Sequence, residues 1–114
     1  MKVLVCERDP VAARSIREGL EDCGHEVVEA HDETEALRRV RTEWTEMVIL
    51  DGPGIGLAPL RALRGAPWTA DVPAIVLTPC PEVGEIWEAY EAGADMVLTR
   101  PLDPEELKTF CPRD

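Results

Sequence analysis

A chain of 114 residues, 45% of them hydrophobic, has the material for one domain with a buried core, which argues against disorder. Its 12 basic and 23 acidic residues leave a formal charge of −11, the wrong sign for gripping nucleic acid or an anionic membrane directly, and the right sign for a basic partner surface. Four cysteines (Cys6, Cys23, Cys80 and Cys111) form no C-x-x-C pair, so neither a zinc site nor a thioredoxin-like motif is supported, and Cys6 reads as a small buried apolar residue.

No apolar run is long enough to span a bilayer, and Val3–Cys6 after a single lysine is too short for a signal-peptide core. The expectation is a cytoplasmic protein. Lys2–Cys6 is β-branched and apolar, as in a strand buried on both faces. Asp9-Pro10 reads as an N-cap with proline at the first helical position. Ala12, Ile16, Leu20 and Cys23 follow at helical spacing, and Gly24 ends that helix. Glu26–Ala30 is a second strand. Asp32 with Glu35 resembles a capping box, and Ala36, Leu37, Val40 and Trp44 form the apolar stripe of the second helix.

Met47–Leu50 is a third strand, closed by Asp51 and broken by Gly52-Pro53-Gly54. A short helix with Leu57, Leu60 and Leu63 ends near Gly65, and Val72–Thr78 is a fourth strand. Val83, Ile86, Trp87 and Tyr90 recur at i, i+3, i+4 and i+7, a face expected to pack in the core. Glu82, Glu85, Glu88 and Glu91 recur on the same helix, which Gly93 caps. Asp95–Thr99 is a fifth strand, and Asp103-Pro104-Glu105-Glu106 opens a last helix with Leu107 and Phe110 to bury. No output domain follows it, so the expectation is a stand-alone module or a piece of a longer protein.

Five strands alternating with five helices imply an α/β domain over residues 1–114, with a parallel sheet covered on both faces. In such sheets chemistry sits at the carboxyl ends of the strands. Those ends carry Glu7, Arg8 and Asp9, then Asp51, then Thr78, then Arg100-Pro101. A strand-end carboxylate beside a second acid, a hydroxyl and a fixed cation suits phosphoryl chemistry. Aspartate can attack phosphorus, and the transferred group's charge must be neutralised. The Gly52/Gly54/Gly56 loop lacks a P-loop lysine and a dinucleotide spacing, so it reads as turn chemistry.

In order and spacing, "KVLVCERDP", "VILD", "AIVLT", "EAGAD" and "TRPLDPEEL" resemble the receiver domains of bacterial response regulators over nearly the whole chain. The resemblance implies a flavodoxin-like (βα)5 sandwich with a five-stranded sheet in order 2-1-3-4-5. It implies phosphotransfer from a histidine kinase to Asp51, with Thr78 as the switch hydroxyl and Arg100 as the strand-five cation. It also implies a cis bond at Arg100-Pro101 and Mg2+ held by Glu7 and Asp51. The chain departs from the family at Arg8, where an acidic metal ligand is usual, in the short "DGPGIGL" loop, at Arg100 in place of lysine, at Val97 in place of an aromatic switch residue, and at Pro79. A cation at position 8 opposes a divalent ion nearby.

Two readings follow. In one, Arg8 and Arg100 pair permanently with Asp51, and a pseudo-receiver signals by protein–protein interaction. In the other, Asp51 still accepts phosphate, with the two arginines standing in for the metal. Neither makes the domain an enzyme. Expected partners are a histidine kinase or an output protein with a basic surface, with no direct nucleic-acid or membrane binding, as a monomer or weak homodimer. A flavin or cobalamin module of the same fold is the remote alternative. Glu7-Arg8-Asp9-Pro10 stands where a flavodoxin has its phosphate loop, and no Asp-x-His motif is present.

Overall fold

The computed structural model describes residues 1–79 and 82–100. Within them the chain runs β1 (Lys2–Cys6), α1 (Pro10–Asp22), β2 (Glu26–Ala30), α2 (Glu33–Thr42), β3 (Met47–Asp51), α3 (Gly52–Ile55), α4 (Ala58–Gly65), β4 (Ala74–Thr78), α5 (Val83–Ala92) and β5 (Met96–Thr99). All strand pairings are parallel, and the sheet order is β2-β1-β3-β4-β5. The expected last helix and the peptide bond at Pro101 lie outside the described residues.

Alternation along the strands divides the apolar side chains between two faces. Val3, Val5, Met47, Ile49, Ile75 and Leu77 pack on one side with Leu20 and Ile16 of α1. Leu4, Cys6, Val48, Leu50, Ala74 and Val76 pack on the other, against Ala36 and Val40 of α2, Leu60 and Leu63 of α4, and Ala89 and Ala92 of α5. The central strands are therefore buried on both faces, which is why their sequences are near-continuous apolar runs.

The predicted caps form. Asp9 accepts from the Val11 amide at 3.0 Å, and Asp32 from the Glu35 amide at 2.7 Å. Glu35 returns one bond, to the amide of His31 rather than that of the cap itself. Gly24 and Gly93 take positive φ where α1 and α5 end, as helix-terminating glycines do.

Several sequence expectations are corrected. Trp44 is not on a buried stripe: α2 stops at Thr42, Glu43 turns extended and is held by Lys2 and Arg39, and Trp44 leaves the helical register 81% exposed. Val83, Trp87 and Tyr90 are exposed, because α5 approaches the sheet through the small residues Ala89 and Ala92, with Ile86 half-buried. Cys23 caps α1 from outside the core. Gly52-Pro53-Gly54 does not simply break the chain: with Ile55 it winds one helical turn capped by Asp51. Strand five begins at Met96, since the Asp95 carboxylate turns back to accept from the Ala74 amide and from Arg64.

Candidate functional site

Parallel pairing aligns the strand ends. Cys6 lies opposite Leu50, Asp51 opposite Leu77, and Thr78 opposite Thr99. Glu7, Asp51, Thr78 and Arg100, far apart in sequence, thus meet at one end of the sheet, as the strand-end rule requires. Glu7 and Asp51 are 3% and 7% exposed, and Thr78 is buried.

Arg100 is the centre of the cluster. Its amide donates to the Thr78 carbonyl at 3.1 Å, which fixes its base beside β4. Its side chain crosses toward β1 and β3, and one guanidinium nitrogen, Nη2, serves both acids. It donates to Glu7 Oε1 and stands 3.1 Å from Asp51 Oδ1. Glu7 Oε2 also accepts from the Asp9 amide at 3.2 Å. Burial pushes the Glu7 carboxyl above its ordinary value; Arg100 and the Asp9 amide oppose that, and the Asp51 charge adds to it. Burial works against the Arg100 charge too, but its bonds to Glu7 and Asp51 prevail and hold its pKa above the ordinary arginine value.

The Asp51 carboxylate is also bound by its own loop. Oδ1 accepts from the Gly54 amide at 3.2 Å, so the acid caps α3. A Cβ on Gly54 would lie 2.1 Å from Asp51 Oδ2, so only glycine leaves room for this rotamer. Among the described residues Oδ2 has no hydrogen-bond partner. The Thr78 hydroxyl donates to Glu85 Oε1 of α5 at 3.3 Å, and among the described residues it has no hydrogen bond to Asp51.

The expected two-arginine clamp is half present. Arg100 holds Asp51, but Arg8 does not: it is exposed and makes no ion pair among the described residues. Its Cβ backs onto the Gly54 turn. The chain has left β1 here: Glu7 is buried on Arg100, while Arg8, beside the Gly54 turn, is exposed. Sequence reasoning missed two contacts: the Gly54 amide on Asp51, hidden in a loop read as turn chemistry, and Glu85 on Thr78, hidden in an acidic helix face. The three-residue spacing of an N-cap from Asp51 to Gly54 could have signalled the first.

Magnesium does not fit these residues as they lie. Its two candidate ligands, Glu7 and Asp51, already share a fixed guanidinium, and Arg8 follows where another acid would complete the set. Among the described residues no group of three or more His, Cys, Asp or Glu could hold a metal ion. No helix among them is long and apolar enough to cross a membrane.

Comparison with known proteins agrees with this fold. A family model for the response regulator receiver domain matches residues 3–111. The response regulator MprA of Mycobacterium tuberculosis is 36% identical over 110 residues, covering 94% of this chain and 47% of MprA. The phosphate regulon transcriptional regulatory protein PhoB of Klebsiella pneumoniae is 30% identical over 109 residues, covering 93% of this chain and 48% of PhoB. The chain thus spans about half the length of the curated relatives it matches. Among solved structures, Vibrio cholerae chemotaxis protein CheY4 superposes with a TM-score of 0.87 at 26% identity, over 98% of this chain and 96% of that one. A Burkholderia pseudomallei response regulator, solved with a phosphorylated aspartic acid, calcium ion and citrate, gives 0.83 at 29% identity, over 93% and 63%. These likenesses set aside the flavin and cobalamin alternative. With its strand order 2-1-3-4-5 and its acids gathered at the strand ends, the chain belongs to the response regulator receiver domains of two-component systems.

Proposed function

We propose that this receiver is atypical, a non-enzymatic module that signals by protein–protein interaction while Asp51 serves as an ion-pair anchor with weak or no metal-dependent phosphorylation. One observation carries the reading: Arg100 bridges Glu7 and Asp51, the two acids that would otherwise hold the metal. Phosphoryl transfer to a carboxylate needs neutralising charge and in-line placement. A single arginine supplies the charge but no octahedral template.

The partner is a histidine kinase or an output protein with a basic surface in the cytoplasm, met by a monomer or weak homodimer without direct nucleic-acid or membrane contact. The support for this lies on α5, where Glu82, Glu85, Glu88 and Glu91 are exposed alongside Val83, Trp87 and Tyr90. Acids around exposed aromatics suit a basic partner with an apolar anchor.

The second reading, a working phosphoacceptor, draws on Asp51 Oδ2, which has no hydrogen-bond partner among the described residues, and on the phosphorylated aspartic acid of the Burkholderia neighbour. Incubation with acetyl phosphate and Mg2+ followed by intact-mass measurement separates the two. We expect no phosphoryl adduct. An adduct lost in Asp51→Asn overturns the atypical reading.

A further inference from the structure

Beside the acid cluster, and sharing Thr78 with it, a cavity of about 240 Å³ opens between the turn after β3, strand β4 and helix α5. Leu57, Val76, Ala89 and Val97 form its apolar wall. Its polar side chains are one-sided in charge: Thr78, Glu85 and Glu88 line it, and among the described residues no basic side chain does. A cavity of about 150 Å³ suffices for a benzene ring. This one has room for a single ring and a short chain, and too little for a helix of a partner protein.

We propose that this cavity is a binding site for a small organic cation, a monocyclic aromatic or compact aliphatic amine. The apolar body would lie on Leu57, Val76, Ala89 and Val97, and the ammonium would meet Glu85 and Glu88. Apolar pockets with few convergent polar groups are the usual form of small-molecule sites, and here those groups select for positive charge. Glu85 is also the acceptor of the Thr78 hydroxyl. An ammonium on Glu85 competes with that bond, so occupancy frees the hydroxyl at the edge of the Asp51 cluster. This coupling rests on reading Thr78 as part of the Asp51 site; the binding itself does not.

The test uses the full chain and phenethylamine, with 3-phenylpropionate as the isosteric anion, read by amide shifts in NMR. We expect saturable shifts at Leu57, Val76, Ala89 and Val97 with the amine, and at least about tenfold weaker binding of the acid. Glu88→Gln, at an exposed position, should weaken the amine about two- to fivefold. Val97→Phe, with its fold verified by circular dichroism, should fill the site and abolish the shifts. The shifts are read without phosphodonor or Mg2+, so the outcome is independent of whether Asp51 takes phosphate. Absence of saturable shifts, or equal binding of amine and acid, overturns the proposal. So does binding of a lysine-rich amphipathic peptide at these amides when the amine fails.

Discussion

Replacing Arg100 by methionine keeps an apolar stem and removes the charge between two buried acids. Breaking a buried ion pair by deleting one partner costs about 3–5 kcal/mol. The Arg100 side chain is 23% exposed, so water relieves part of that. A second limit comes from Glu7. Rather than stay charged and unpaired it can take a proton, and holding a carboxyl of ordinary pKa 4.5 neutral at pH 7 costs about 3.4 kcal/mol. We expect a loss of about 3 kcal/mol at pH 7.

The sign of the pH dependence follows from Glu7. Its pKa is already raised in the fold by burial, and removing Arg100 removes an opposing influence while the Asp51 charge remains. The folded variant therefore holds its Glu7 proton to higher pH than the unfolded chain does. The stability is present in full below the unfolded pKa and is lost as pH rises through the folded one. At pH 5 the cost of neutral Glu7 falls to about 0.7 kcal/mol, so the variant should recover roughly 2 kcal/mol relative to wild type. Urea unfolding at both pH values, followed by far-UV circular dichroism, measures this directly. A loss of equal size at the two pH values, or none at pH 7, refutes the reasoning.

Other perturbations test the surrounding geometry. Gly54→Ala places a methyl against the Asp51 carboxylate and should cost about 1–3 kcal/mol by overpacking; unchanged unfolding in urea contradicts the assigned rotamer. Arg64→Met removes donors to the carbonyls of Gly93, Ala70 and Val72 and to Asp95, and should cost about 2–4 kcal/mol in the same assay. Burial pushes the Cys6 thiol up to about 12, so iodoacetamide at about pH 8 should label exposed Cys23 and spare Cys6 in peptide maps.

The sheet was legible because doubly buried strands such as "MVIL" and "AIVL" leave little ambiguity, and glycines with positive φ punctuate α1 and α5. The strand-end rule then gathered Glu7, Asp51, Thr78 and Arg100 without any contact being known. What stayed hidden depends on direction rather than position. Arg8 is adjacent to Glu7, yet Glu7 is buried on Arg100 and Arg8 is exposed beside the Gly54 turn. Trp87 and Tyr90 keep perfect helical spacing, but spacing names a face without saying whether the sheet meets it. Here the sheet takes the alanines. Arg64 reads as an ordinary helix cation, though it ties α4 to the segments before β4 and β5.

The most direct test of the claim that Arg100 occupies the metal's place is a Mg2+ titration of the wild-type chain, followed at the amides of Glu7, Asp51 and Gly54. We expect no saturable shift through the millimolar range, with binding gained in Arg100→Met, which takes the guanidinium from between Glu7 and Asp51. Saturable wild-type binding centred on Glu7 and Asp51 would contradict the claim.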